Sequence, residues 1–328
     1  MELPFELATA IEEQLAFIPI KKLSAIVTRL SEDYRSSRMS SGEFDEGSYI
    51  GTYEEALAYV AFRMPATFAA AYFALSQAKE RLPALSPKTL LDVGAGPGTA
   101  MWAAAMVWPE LEHITLVERE QNMIDIGKKL AEYAGRPSIR QAEWIKADVM
   151  GEWSVSQHDV VIASYVLNEL PQHSIEQFAL GLWDKTGSLL IFIEPGTPAG
   201  FSLIRQVRER LLAQGASIVA PCPHGNSCPV PEDDWCHFSQ RLNRTRLHRQ
   251  IKGGTLSYED EKFSFVCLSR IPGSDIKGIV VRHPQIRKGH IYLKLCTPEG
   301  IVNATITRKD KERFKEARKL DWGSIVRW

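Results

Sequence analysis

The sequence predicts an α/β protein whose central sheet is parallel and covered by helices on both faces. Five short β-rich runs alternate with helix-length segments between residues 89 and 193, the alternation that parallel sheets require. A glycine-rich turn directly follows the first of these runs. The 328 residues are 45% hydrophobic and 24% charged, which supplies a core and excludes a disordered chain.

The chain divides into four expected regions. Leu7, Ile11 and Leu15 repeat at helical spacing, and a later alanine-rich helical run is interrupted by Pro65. Strands follow, then a Cys-rich stretch with little periodicity, then antiparallel strands. We expect a helical region over residues 1–85, a Rossmann-like core over 86–215, a Cys-rich metal-binding insertion over 216–255, and the remaining core strands with a basic C-terminal region over 256–328.

Charge is distributed unevenly along the chain. Residues 241–328 contain 20 Lys and Arg against 9 Asp and Glu, whereas residues 1–240 contain 19 against 31. Clustered basic residues neutralise phosphates, so this quarter predicts a nucleic-acid partner; the alternative is a solvated basic surface that pairs with the acidic remainder. The candidate RNA-binding residues are Arg241, Arg244, Arg246, Arg249, Arg287 and Lys288.

Nothing in the sequence predicts a membrane segment. No apolar run approaches the roughly 18 residues that a membrane span needs. The first residues are acidic, with Glu2, Glu6 and Glu12 preceding the first basic residue, Lys21. This pattern is not that of a signal or transit peptide, so we expect a cytoplasmic protein with no membrane partner.

The sharpest local signal is the glycine loop that follows the first strand. Gly94, Gly96 and Gly98 have the spacing G-x-G-x-G, and Thr99 stands where a dinucleotide fingerprint has its third glycine. The spacing resembles motif I of the class I S-adenosylmethionine-dependent methyltransferases. This resemblance implies S-adenosylmethionine as cofactor, with Glu118 at the second strand facing its ribose and Asp148 after the third strand facing its adenine.

No residue in the segment after the fourth strand can be assigned a catalytic role from the sequence. It reads Ser164-Tyr-Val-Leu-Asn-Glu-Leu170, without the Asn/Asp-Pro-Pro-aromatic signature of enzymes that methylate amino nitrogens. Asn168 and Glu169 are candidates to orient a substrate, and the start of a helix is the alternative. The sequence therefore leaves open whether the protein is an active methyltransferase.

Five cysteines in such a chain do not suggest disulfides. Cys222, Cys228 and Cys236 lie close together in one irregular stretch. Cys267 shares its face of a predicted strand with phenylalanines, so we expect it in the core. Cys296 lies opposite the Ile/Leu face of its strand and is available as a fourth ligand.

Four thiolates can hold zinc or an iron–sulfur cluster. The tight C-x₂₋₄-C pair of structural zinc sites is absent. The wide intervals and the Cys-Pro pairs at Cys222 and Cys228 favour a [4Fe-4S] cluster. His224 and His237 are further possible metal ligands, so zinc is the alternative.

Several motifs together resemble the methyltransferase-like family of mitochondrial small-ribosomal-subunit assembly factors and their bacterial relatives. The resemblance extends from about residue 61 to the C-terminal strands. The motifs that support it are Leu91 to Gly98, Ser164 to Leu170, Glu194-Pro-Gly196, Pro221-Cys-Pro-His224, Cys228-Pro229 and Asp234-Trp-Cys-His-Phe-Ser-Gln-Arg241.

The resemblance implies a class I methyltransferase fold that docks on the small ribosomal subunit and its rRNA as an assembly or translation factor. An active S-adenosylmethionine-dependent rRNA methyltransferase is the alternative. The implied ligands of a [4Fe-4S] cluster are Cys222, Cys228, Cys236 and Cys296. The implied S-adenosylmethionine pocket contains Asp92, Gly94, Gly96, Gly98, Glu118 and Asp148.

Overall fold

The computed structural model of the protein describes residues 1–36, 50–243 and 257–328. A mixed eight-stranded sheet forms its centre, and a second sheet of five strands lies toward the C-terminus. Helices cover both faces of the central sheet, and two separate apolar clusters fill the space between them and the strands. This confirms the α/β, Rossmann-like architecture that the sequence predicts.

Within residues 1–36 and 50–88, four helices precede the first strand. Thr52 begins the third helix with a capping box, in which its hydroxyl accepts from the Glu55 N–H and the Glu55 carboxylate accepts from the Thr52 N–H. The expected division at Pro65 occurs at Arg63, and the proline lies in the first turn of the next helix, where a missing N–H is tolerated. These helices are α1 (Phe5–Leu15), α2 (Ile20–Ser36), α3 (Tyr53–Phe62) and α4 (Met64–Arg81).

The central sheet has the strand order β3-β2-β1-β4-β5-β8-β6, with β7 also paired to β8. Strands β1 to β5 are mutually parallel, whereas β8 runs antiparallel to β5, β6 and β7. The strands are β1 (Thr89–Val93), β2 (His113–Glu118), β3 (Glu143–Lys146), β4 (His158–Ser164), β5 (Thr186–Pro195), β6 (Ser217–Ala220), β7 (Phe238–Asn243) and β8 (Tyr258–Ser269).

Helices connect the parallel strands as crossovers. Within β1 and β4, Leu90 and Ile162 face one apolar cluster, while Leu91 and Val161 face the other. Side chains alternate across a strand, so both faces of the sheet are buried. The helices are α5 (Thr99–Val107), α6 (Gln121–Ala131), α7 (Pro137–Arg140), α8 (Ile175–Asp184) and α9 (Pro198–Leu212).

The second sheet is antiparallel and has its own apolar cluster around Leu293 and Ile306. Sequence periodicity predicts antiparallel strands here, although the first of them, β8, joins the central sheet instead. The elements are β9 (Gly278–Val280), β10 (Gln285–Arg287), β11 (His290–Thr297), β12 (Gly300–Thr307), α10 (Lys311–Ala317) and β13 (Ile325–Val326). Cys296 in β11 lies on the face opposite Leu293, as the alternation predicts.

Candidate cofactor cleft and thiol site

The glycine loop lies at the carboxyl end of β1, where α/β sheets bind their ligands. Gly94, Gly96 and Gly98 all have positive φ, at 66°, 54° and 80°. A Cβ at position 94 would lie 2.4 Å from a methyl carbon of Val166, whereas a Cβ at position 96 would meet no atom within 4 Å. The backbone at Gly96 therefore faces open space, and Gly94 is packed against the loop that follows β4.

Two carboxyl groups surround the glycine loop. Glu118 ends β2 and accepts hydrogen bonds from the Gly96 N–H and the Glu120 N–H, both at 2.8 Å. Burial nevertheless raises the pKa of Glu118. Asp92 is buried at the end of β1 and accepts from the Met101 N–H at 3.2 Å, and burial raises its pKa to about 7. The structure thus brings Asp92, the three loop glycines and Glu118 to one edge of the sheet.

Asp148 follows β3 and lies farther toward solvent, with 54% of its side chain exposed. One carboxylate oxygen accepts from the Met150 N–H at 2.8 Å, and the other lies 3.9 Å from Nη1 of Arg119. Arg119 directly follows Glu118 in the chain. This contact places Asp148 at the same end of the sheet as the other predicted cofactor residues.

Glu194 is a buried carboxyl group of the cleft that the sequence does not single out as a site residue. It lies near the end of β5, fully buried, and accepts from the Leu167 N–H and from Nδ2 of Asn168, both at 2.7 Å. Burial raises the pKa of Glu194 to about 8. The Asn168 amide is therefore turned toward Glu194, while Glu169 is exposed. Position at the end of a parallel strand is the signal that could have found Glu194.

Tyr165 is held in a left-handed conformation directly after β4, with φ of 63°. This conformation is strained for a residue with a large side chain. Its hydroxyl donates to Glu261 at 2.9 Å, and Glu261 also accepts from both terminal nitrogens of Arg63. The strained backbone is thus supported by an ion pair between the start of α4 and strand β8.

Four of the five cysteines meet at the thiol site, which we define as Cys222, Cys228, Cys236 and Cys296. The first three belong to the loop between β6 and β7, and the fourth belongs to β11 of the second sheet. Their thiols interact electrostatically with one another. Burial raises the pKa of Cys222, of Cys236 and of Cys296, the last to about 12.

Cys267 lies apart from this set in the core. Its side chain is completely buried, and its Sγ contacts the carbonyl oxygen of Ala74 at 3.7 Å. Cys267 shares the main apolar cluster with Phe263 and Phe265 of the same strand. The alternation of β8 therefore predicts its position correctly.

Asp234 anchors the cysteine loop to the second sheet. Its carboxylate accepts from Nζ of Lys294 at 3.0 Å, from the Trp235 N–H at 2.8 Å and from the guanidinium of Arg282. Partial burial raises the pKa of Asp234, but the hydrogen bonds and nearby cations outweigh it and hold that pKa below its usual value. Ser264 adds a 2.7 Å hydrogen bond to the carbonyl oxygen of Cys236. The backbone that carries Cys236 is thus fixed from two sides.

The thiol site does not have the geometry of a single-ion site. Among the residues that the structure describes, no three His, Cys, Asp or Glu side chains converge closely enough to hold one metal ion. Tetrahedral zinc requires four ligands at about 2.0–2.3 Å from one centre. Of the two candidate histidines, His237 is hydrogen-bonded through Nδ1 to the Trp235 carbonyl oxygen at 3.2 Å.

The predicted RNA-binding residues do not share one surface element. Arg241 lies in β7, where its guanidinium pairs with Asp260 at 2.7 and 2.8 Å and lies 4.0 Å from the ring centroid of Tyr258. Arg287 and Lys288 are exposed where β10 turns into β11. The other three predicted residues, Arg244, Arg246 and Arg249, lie outside the described residues.

None of the helices in the described ranges combines the length and the apolarity needed to cross a membrane.

Comparison with known proteins gives a family and distant structural neighbours. The family model described as mitochondrial small ribosomal subunit Rsm22 matches residues 53–327. The chain is 31% identical over 294 residues to the human ribosome assembly protein METTL17, mitochondrial, which covers 82% of this chain. It is 25% identical over 341 residues to the Rsm22-cox11 tandem proteins 1 and 2, mitochondrial, of Schizosaccharomyces pombe, covering 86% of this chain. The chain spans 62% of the human protein and 44% of the yeast proteins.

Solved structures of methyltransferases share the general fold at low similarity. Magnesium protoporphyrin IX methyltransferase from Synechocystis, with bound SAM, is 12% identical with a TM-score of 0.41, covering 73% of this chain and 91% of its own. The plantazolicin methyltransferase BpumL is also 12% identical, with a TM-score of 0.39, covering 80% and 99%. At this similarity neither structure informs on the ligand or activity of the present chain.

The relatives overturn one expectation and confirm another. The expectation of a cytoplasmic protein is wrong, because the human and yeast relatives are mitochondrial proteins by name. The family resemblance itself is confirmed, since the matched region covers most of the sequence. The chain belongs to the Rsm22 family of mitochondrial small ribosomal subunit proteins.

Proposed function

We propose that the chain acts in assembly or translation of the small ribosomal subunit, holding S-adenosylmethionine in its cleft and a [4Fe-4S] cluster at its thiol site while it docks on rRNA. The observation that carries this proposal is that four cysteine thiols from a loop and a separate sheet lie close enough to interact electrostatically. All four lie within the region that matches the ribosomal family.

The cleft suits S-adenosylmethionine. Open space above Gly96 lets a ligand approach the backbone, and α5 begins directly after the loop, so its N-terminus lies at the cleft. The residues that would hold the cofactor are Asp92, Gly94, Gly96, Gly98, Glu118 and Asp148. The cofactor supplies a methyl group on a sulfonium. The chain's own part is to bind and orient, with carboxylates at the strand ends placed to accept from hydroxyl and amino groups.

The thiol site suits a cluster better than a single ion. A cubane takes each thiolate on a different iron, so its ligands stand farther apart than the four ligands of one zinc ion. Cys222, Cys228, Cys236 and Cys296 interact electrostatically, and four thiolates are the ligand set of a [4Fe-4S] cluster. Held in this way, the four residues would tie the cysteine loop to the second sheet. Zinc is the competing outcome of the test below.

Docking on rRNA is supported by the basic C-terminal quarter of the chain. Arg287 and Lys288 project from a turn of the second sheet and are exposed. Arg241 is already paired with Asp260 and is the weaker candidate. Contacts of this kind neutralise phosphates and release counterions, so binding should weaken with salt.

The docking proposal is tested by co-sedimentation of the full chain with purified small ribosomal subunits across a salt series. The double variant Arg287→Ala/Lys288→Ala should bind less and show a log–log salt slope that is less steep by about 1 per lost phosphate contact. The control Lys21→Ala/Lys128→Ala removes two exposed lysines from the acidic part of the chain and should leave the slope unchanged. Equal slopes for both double variants, or salt-independent binding, would contradict docking through this turn.

The cluster proposal is tested by oxygen-free purification with analysis of iron, sulfide and zinc. The wild-type chain should contain about four irons and four sulfides. Cys236→Ser should lose them, whereas Cys267→Ser, which changes the buried cysteine outside the thiol site, should retain them. Stoichiometric zinc, or a folded wild-type chain without metal, would rule out the cluster.

A further inference from the structure

Two arginines are almost fully buried beside the thiol site. Arg81, the last residue of α4, is 4% exposed, and Arg208 in α9 is 3% exposed. Within the described residues neither guanidinium forms a salt bridge with a carboxylate, although Asp275 attracts Arg81 from a greater distance. Arginine is rarely this buried unless its charge is balanced.

The hydrogen bonds of both arginines are incomplete. Nε of Arg81 donates to the Ser274 carbonyl oxygen at 2.6 Å, and Nη2 of Arg208 donates to the carbonyl oxygens of His224 and Asn226 at 3.2 and 2.6 Å. Nη1 of Arg81 and Nε of Arg208 are buried without a partner. A buried donor without a partner is destabilising, and more so when the donor is charged.

The unpartnered polar atoms concentrate at this place in the molecule. Nine buried side-chain nitrogen or oxygen atoms lack a hydrogen-bond partner in the described part of the chain, and one of them, Nε of Arg210, lies 3.5 Å from Glu176 in an ion pair. Five of the nine belong to the two arginines and to the residues whose carbonyl oxygens they contact: Arg81 with Ser274, and Arg208 with His224, which has both ring nitrogens unpartnered. Groups of this kind indicate an acceptor that the protein itself does not provide.

Both arginines act on the thiols. The positive charge of Arg208 acts on the thiols of Cys222 and Cys296. Arg81 interacts with Cys222 and with Cys267. Two cations thus face one side of the thiol site, on helices that belong to different parts of the chain.

We propose that Arg81 and Arg208 form a buried pair of cations that balances the negative charge of the inorganic group at the thiol site and donates N–H groups to its sulfur atoms. The inference rests on the [4Fe-4S] cluster proposed above and assigns positioning residues, not ligands. A cluster with four thiolate ligands is an anion, and one-electron reduction adds a further negative charge. Burying such an anion is costly unless cations and donors surround it. Charge and hydrogen bonds near the sulfurs also set its reduction potential.

The test is a reductive titration of the cluster in the full-length chain with dithionite as electron donor, monitored by electron paramagnetic resonance. Arg208→Met and Arg81→Met should each disfavour the reduced form at least tenfold, which lowers the potential by about 59 mV for one electron. Loss of iron to a chelator should also be at least tenfold faster. Arg210→Met is the matched control, because Arg210 lies on the same helix but pairs with Glu176 at 3.5 Å. This control should change neither quantity.

The outcomes separate this inference from the cluster proposal. A wild-type chain without iron ends both. The wild-type chain could contain iron while the Met variants have the same potential and chelation rate as Arg210→Met. That result overturns the charge-balancing role alone. If the Met variants do not fold, the variants Arg81→Lys and Arg208→Lys test the charge-balancing role, because lysine keeps the positive charge. The lysine variants should retain iron with a potential near that of the wild type, and folded lysine variants without iron would contradict charge balance.

Discussion

The cofactor cleft and the thiol site differ in whether their buried polar groups have hydrogen-bond partners. In the cleft, Asp92, Glu118 and Glu194 all accept hydrogen bonds from neighbouring backbone N–H groups. At the thiol site, Arg81 and Arg208 keep buried donors without a partner. The cleft therefore balances its buried carboxyl groups with its own backbone, whereas the described residues place no hydrogen-bond partner on these donors beside the thiol site. This difference predicts that ligand loss should leave the cleft folded and loosen the thiol site.

The largest effect on stability is expected at Gly94, the loop glycine with the least space for a side chain. Gly94→Ala would place a Cβ 2.4 Å from Val166 at a φ of +66°. Left-handed strain and overpacking together should lower the free energy of unfolding by about 2–5 kcal/mol. Chemical denaturation of the chain with and without S-adenosylmethionine measures this loss, which should persist in both conditions. A loss below about 1 kcal/mol would show that the loop after β4 gives way and that the cleft is not rigid.

A smaller effect on stability is expected at Gly96, where the cleft is open. Gly96→Ala meets no atom within 4 Å and has only the left-handed strain, which costs about 1–2 kcal/mol. The added methyl group should nevertheless abolish S-adenosylmethionine binding, measured by isothermal titration calorimetry. Gly215→Ala is the control, because its φ is +83° and its Cβ also meets nothing within 4 Å. Retained binding in Gly96→Ala would remove the glycine loop from the proposed pocket.

The effect expected from Glu194 is gradual, because it is a dependence of stability on pH that is spread over several pH units. Its folded-state pKa of about 8 lies above the ordinary value of 4.5, so between these pH values the folded state holds a proton that the unfolded state has lost. The free energy of unfolding should therefore fall as pH rises from 4.5 to 8, by at most about 1.4 kcal/mol per pH unit. Glu194→Gln should remove this part of the slope in urea titrations at several pH values. An identical slope in the variant would show that Glu194 is ionised in the folded protein.

Local sequence predicts the cleft well because its parts are close together in the chain. The loop glycines follow β1 within five residues, and Glu118 ends the next strand. A strand, a glycine turn and a helix form one local unit with a known position at the sheet edge, so their arrangement can be read from the sequence. The sequence does not predict the role of Glu194, because that role depends on burial and on the hydrogen bond from the Asn168 amide, and residue spacing predicts neither.

The sequence by itself determined the alternation of strands and helices, the division near Pro65, the core position of Cys267 and the placement of Cys296 on the face of β11 opposite Leu293. Periodicity and backbone sterics act over a few residues, and these features depend on nothing more distant. Only the tertiary structure decided that Arg81, from a helix before the first strand, and Arg208, from the helix before β6, face the same thiol. Long-range packing brings such groups together, and a linear pattern contains no record of which buried charge will lack a partner.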